Sequence, residues 1–156
     1  MERGCMVHKL VADIALFSGH KVLLVKYRDV ARYDGQRGWF LPDDFLKHEE
    51  HPEDAAKRIA REQTGVDLAD IRLSHIESFG NGAWHLIFHY RADVRTPTVK
   101  PGPNIAATEW FERRKLPTRS EVAHEGWAID VLKSMGPSST LRTSARADAV
   151  PRGRPR

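Results

Sequence analysis

The chain has 156 residues, of which 40% are hydrophobic and 29% charged, with a formal net charge of +4. That length fits a single domain with a proper core, and no apolar run is long enough to span a bilayer. Cys5 is the only cysteine, which excludes an internal disulfide, and the first ten residues lack the apolar core of a secretory signal, so the expected address is cytoplasmic.

Val7 to Phe17 is largely apolar, and Lys21 to Tyr27 is rich in β-branched and aliphatic residues. With Ser18-Gly19-His20 as a turn signal between them, the two read as a hairpin. Arg28 to Gly38 is polar and reads as a loop that leads into Trp39, Phe40, Leu41 and Pro42. His51 to Thr64 reads as a helix. Pro52 suits its first position, Glu53 and Asp54 suit the positive end of its dipole, and Gly65 is placed to end it. Leu73 to Phe79 and Ala83 to Val94 read as strands about a Gly80-Asn81-Gly82 turn. In the second, His85, Ile87 and His89 point one way and Leu86, Phe88 and Tyr90 the other. Arg95 to Asn104 carries three prolines and reads as a loop, Ala107 to Phe111 as a short strand. Ser120 to Met135 reads as a closing helix with Ser120 as its N-cap. The order is that of a mixed sheet interrupted by one helix and finished by another, an α/β or α+β domain over residues 1–135. Residues 136–156 form a Ser/Pro/Arg-rich tail whose five arginines against Asp148 account for the whole +4 excess. Its composition predicts disorder and at most a weak contact with nucleic acid.

Between Leu41 and Val66 a set of residues stands at distinctive spacing. Glu50, Arg58, Glu62, Gly65 and Val66 fall in register with the signature box of the Nudix hydrolases, whose pattern is a glycine, five residues, a glutamate, seven residues, then R-E-U-x-E-E-x-G-U with U a bulky aliphatic. The stretch resembles that box with several acids replaced. Asp44 stands where the glycine would be, with Asp43 before it, and Ile59 and Gln63 stand where two of the three helix glutamates would be. The similarity extends over about residues 7–135, through the strands before Trp39 and the later Glu109-Trp110-Phe111 and Leu116-Pro117.

The resemblance implies an α/β/α sandwich with the box as a loop, helix and loop beside a mixed sheet. It also implies that helix carboxylates gather Mg2+ or Mn2+ against a diphosphate, which water then attacks. Glu62 is the metal ligand and catalytic carboxylate that survives. Arg58, four residues earlier, orients it through a charge-assisted hydrogen bond. Glu50 and Asp44 are the remaining candidate ligands. Ile59 can neither bind a metal nor accept a proton, and Gln63 keeps shape without charge. One ion held by one or two carboxylates fits this set, since substrate phosphates complete a magnesium shell. The expected function is therefore weakened cleavage of a nucleoside diphosphate linked to another group. The alternative is an inactive domain of the same fold that binds a nucleotide or a protein partner. Many relatives pair as homodimers.

Other groups carry less. His48-Glu49-Glu50-His51 is not the HExxH helix pattern, because the histidines are three apart and Pro52 follows at once. His85 and His89 share a strand face and either line a ligand cavity or sit as ordinary sheet residues. Trp39, Phe79, Trp84, Trp110 and Phe111 either stack a base or fill the core. For Cys5 the sequence suggests no helix N-terminus or cationic pair, and no catalytic role is expected of it.

Overall fold

A computed structural model describes residues 8–80, 82–95 and 98–136. The expectations for Cys5 and for most of the tail lie outside these residues. The elements are β1 (His8–Ser18), β2 (Lys21–Tyr27), β3 (Asp43–Phe45), α1 (Pro52–Thr64), β4 (Arg72–Gly80), β5 (Trp84–Asp93), β6 (Ile105–Glu112) and α2 (Ala123–Met135). They form one mixed six-stranded sheet of order β4-β5-β1-β2-β6, with β3 paired to β1. β1 and β5 run parallel along their length, His8 opposite Trp84 through Phe17 opposite Asp93. Among the described residues no helix is long and apolar enough to cross a membrane.

Alternation along β1 divides the core into two layers. Ala12, Ile14 and Leu16 pack on one face against Ala55, Ala56, Ile59 and Ala60 of α1. Ala15 and Phe17 face the other way, against Ala128, Val131, Leu132 and Met135 of α2. Three alanines let the axis of α1 approach the sheet closely. Pro52 opens α1 and His51 caps it, its Nδ1 accepting from the Glu53 N–H at 3.1 Å, while Gly65 closes it with φ at 73°. A loop seals the end: Lys100 N–H donates to the Thr64 carbonyl and Gly102 N–H to that of Gln63. A Cβ on Gly102 would stand 2.1 Å from the Glu62 carbonyl oxygen, so only glycine fits this approach.

The expected β1–β2 hairpin forms only at its turn, where Phe17 pairs with Val22 and Ser18 with Lys21. Beyond it the strands part, and the segment before α1 enters the gap. Phe40 exchanges both backbone hydrogen bonds with Val25, Ile14 N–H donates to the Pro42 carbonyl, and Asp43 and Asp44 pair with Asp13 and Ala12. The wedge hangs the box from the middle of the sheet. Neither Asp43 nor Asp44 has a positive φ; both lie in an extended strand that any residue adopts, so no glycine is required there.

The closing helix begins later than the sequence suggests. Thr118 and Glu121 form a capping box around a single 3₁₀ turn, and His124, Glu125 and Gly126 then adopt left-handed dihedrals before the regular helix runs on. Ser120 therefore belongs to that short turn rather than capping the helix.

Candidate active site

Arg58 is the centre of the box. Its side chain is 9% exposed, and its Nε and Nη2 donate to the two oxygens of Glu50 at 2.8 and 2.9 Å. Nη2 also donates to the Phe45 carbonyl at 3.0 Å, and Nη1 to Glu62 Oε2 at 3.2 Å. Asp44 Oδ2 lies 4.0 Å from the same Nη1. The structure thus brings Arg58, Glu50, Glu62 and Asp44 together, with Glu50 rather than Glu62 as the tighter partner of the arginine. The Arg58 hydrogen bonds hold the Glu50 carboxyl below its usual range. Glu50 also accepts from the Lys47 N–H, so both of its oxygens are engaged. Asp44 Oδ1 accepts from Arg32 Nη2 and from the Phe45 N–H, each at 2.7 Å. Glu62 is the most open of the three carboxylates, with its side chain 51% exposed.

The replaced positions are built into the scaffold. Ile59 is fully buried in the layer between α1 and the sheet. Gln63 spans two partners: its Nε2 donates to the Asp43 carbonyl at 2.9 Å and its Oε1 accepts from the Tyr27 hydroxyl at 2.8 Å. Asp43 lies beside the same hydroxyl, 3.1 Å from its Oδ1. Burial, and next the neighbouring Asp13 carboxylate, push the Asp43 carboxyl well above the ordinary range. Burial likewise raises the Tyr27 hydroxyl.

Asp43 and Asp44 also line a cavity of about 290 Å³. Val11 and Ile87 meet it from the sheet, Phe40, Phe79 and Trp127 add apolar surface, and Arg32, His85 and His124 add polar and cationic groups. Val11 and Ile87 stand on the strand parity opposite to the α1 layer, so the cavity lies on the α2 face and meets the box at the β3 edge. Of the aromatics considered from sequence, Phe79 lines this cavity. Trp39 is buried with Phe111 packed edge-on, Trp84 is exposed against His8, and Trp110 packs on the α1 layer. The two histidines part company: His85 reaches the cavity and His89 is fully buried.

Sequence reasoning missed what His89 contacts. Its Nδ1 lies 2.6 Å from Oδ2 of Asp13, itself fully buried, and its Nε2 lies 2.5 Å from Glu77 Oε1. Burial alone would lower the histidine, but the bonds to Asp13 and Glu77 outweigh it and raise the pKa to about 9. A signal was available, since Asp13 is the lone acid inside the otherwise apolar run from Leu10 to Phe17.

The sequence model of the NUDIX domain matches residues 7–131. Among solved structures, a MutT/nudix family protein from Enterococcus faecalis is 23% identical with a TM-score of 0.62, over 71% of this chain and 46% of that one. A bifunctional NMN adenylyltransferase/ADP ribose pyrophosphatase from Francisella tularensis, complexed with AMP and a manganese ion, is 14% identical with a TM-score of 0.67, over 86% and 44%. The NUDIX domain of Shewanella oneidensis NrtR, complexed with ADP ribose, is 21% identical with a TM-score of 0.58, over 91% and 88%. The chain thus spans less than half the length of the first two. At these identities the likeness is one of fold. No curated protein matches the sequence.

Proposed function

The chain belongs to the NUDIX domain family, and from that premise we propose that it takes a nucleoside diphosphate-type compound into the cavity beside Asp43 and Asp44 and cleaves it slowly with one magnesium or manganese ion. The observation that carries this reading is the Arg58 hub, which sets Asp44 at the cavity edge and Glu62 on the helix around one guanidinium nitrogen. Magnesium needs one or two carboxylates when phosphate and water supply the rest. Asp44 and Glu62 fit that need for one ion. A larger metal cluster does not fit, because Ile59 is in the core and Gln63 is neutral and already hydrogen-bonded. We assign Glu50 an outer role: it fixes Arg58, and any contact with the ion runs through water. The bound ion supplies charge for a phosphate oxygen and a nucleophilic water. The chain's own groups hold the nucleoside among Phe40, Phe79 and Trp127 and position the carboxylates.

The test compares phosphate release from ADP ribose and related nucleoside diphosphate compounds, with magnesium or manganese, between the parent and Glu62→Gln. The variant is expected to lose on the order of 10²-fold or more of a slow parent rate. Equal rates in the two would remove the hydrolase reading from this site. The buried Ile59 and engaged Gln63 favour a second reading, binding without turnover. Thermal stabilisation by the same compounds with no phosphate release would establish it. A cytoplasmic address and pairing of two copies belong to the same proposal. Leu10, Leu73 and Ile76, exposed on the α1 side of the sheet, are the surface for the second copy. Light scattering that finds a monomer at every concentration would remove the pairing.

A further inference from the structure

We propose that His75, Glu77 and His89 form a binding site for one zinc-class divalent cation on the sheet face opposite α1, with Asp13 orienting His89. Each residue brings one ligand atom, and these atoms all lie within 4.8 Å of one another. A zinc ion with bonds of about 2.0–2.1 Å holds its ligands about 3.3 Å apart, so the His75 and Glu77 side chains would have to close on the fixed His89 ring.

The backbone builds this convergence. In β4 and β5, Leu73 pairs with Tyr90, yet His75 pairs with His89, so Ser74 is an extra residue in a β-bulge. Without it, Ser74 would oppose His89, and His75 and Glu77 would point to the α1 face. The bulge reverses the parity and turns both onto the face of His89. Bulges of this kind re-aim side chains at sites.

The supporting atoms are those a metal histidine requires. A ligating imidazole is oriented by a hydrogen bond on its other nitrogen, often from a carboxylate. His89 Nδ1 is held by the buried Asp13, which leaves Nε2 toward Glu77. His75 Nδ1 is held by Ser74 Oγ at 2.9 Å, which leaves its Nε2 for the ion. Asp13 Oδ1 is buried with no hydrogen-bond partner among the described residues, and the two carboxylates of Asp13 and Glu77 flank the single His89 ring, a charge that a divalent cation would balance. The ion takes the place of the proton shared between His89 Nε2 and Glu77. Two imidazoles and one carboxylate suit zinc and its neighbours rather than magnesium. Glu77 keeps a side-chain exposure of 36%, so the ion has a path in and a position open to water. This site is separate from the all-oxygen group at Arg58 and does not depend on the function proposed above.

The test is zinc titration of the full chain after chelator treatment, followed by calorimetry and, with cobalt in place of zinc, by visible absorption. The parent is expected to bind one equivalent that excess magnesium does not displace, with a cobalt spectrum of low coordination number. Glu77→Gln and His75→Ala are expected to weaken that binding at least 100-fold with unchanged circular dichroism, while Glu62→Gln and Cys5→Ser retain it. No zinc uptake by the parent, uptake unchanged in folded Glu77→Gln, or loss in Glu62→Gln or Cys5→Ser would overturn the assignment. Should His75→Ala fail to fold, the near-isosteric Glu77→Gln decides alone.

Discussion

Arg58 shows how a residue expected to serve chemistry also serves the fold. Its guanidinium is almost fully buried and satisfies Glu50 twice, the Phe45 carbonyl once and Glu62 once. The turn before α1, β3 and the helix itself therefore meet at one side chain. Removing it leaves Glu50, whose side chain is only 15% exposed, as a carboxylate without its cation. Breaking one partner of such a pair costs about 3 kcal/mol, the low end for buried pairs, because Glu50 keeps some solvent. Arg58→Ala is expected to lower the urea midpoint accordingly. Arg58→Lys would recover charge but not the two-pronged contact, so it should fall between the two. A midpoint unchanged in Arg58→Ala would show that the hub contributes nothing to folding.

At the scale of elements, α1 and the long strands were legible in the sequence, whereas β3 and the bulge in β4 were not. Its start and stop rest on local chemistry: a cap at His51, proline at the first position and a left-handed glycine at Gly65. Such signals act within a few residues. The β3 segment has no comparable signal. Asp43, Asp44 and Phe45 show no alternation, and they become a strand only because β1 and β2 part and leave backbone groups to pair. The bulge at Ser74 is equally silent, since one inserted residue reverses the face of every side chain after it. The family register placed Glu50, Arg58 and Glu62 as one group, but it could not tell that in this chain position 59 faces the apolar layer. That burial carries a prediction for α1. Ile59→Glu places an uncompensated carboxylate in the core and should cost about 3–5 kcal/mol. Gln63→Glu removes the amide donor to the Asp43 carbonyl and should cost about 1–3 kcal/mol. If α1 still aligns a metal and diphosphate, magnesium with ADP ribose will restore part of the stability lost in the double variant and raise its turnover above the parent. Denaturation curves with and without both additions check this; curves that coincide would mean the helix face is closed to an ion.

Across the whole molecule, chemistry is divided between the two faces of one sheet. The α1 side carries the Arg58 hub, the α2 side carries the cavity and the Asp13–His89–Glu77 chain, and the β3 edge joins them through Asp43 and Asp44. The charge is divided as well. The five arginines of residues 136–156, against Asp148, hold the entire +4 excess, so residues 1–135 carry equal numbers of Lys/Arg and Asp/Glu side chains. A balanced body gives no broad electrostatic attraction for a polyanion, whereas a nucleotide bound in a cavity depends on shape and a few placed groups. The two kinds of binding should therefore separate cleanly. The 156-residue chain is expected to bind duplex DNA weakly, with an apparent affinity falling as log salt with a slope no steeper than about −4.5, the limit for five phosphate contacts. Removing residues 137–156 should abolish that binding and leave ADP ribose binding and turnover unchanged. Salt-dependent DNA binding that survives the truncation would place the polyanion contact on the body, where Lys9, Arg32 and His124 around the cavity would be the groups to substitute next.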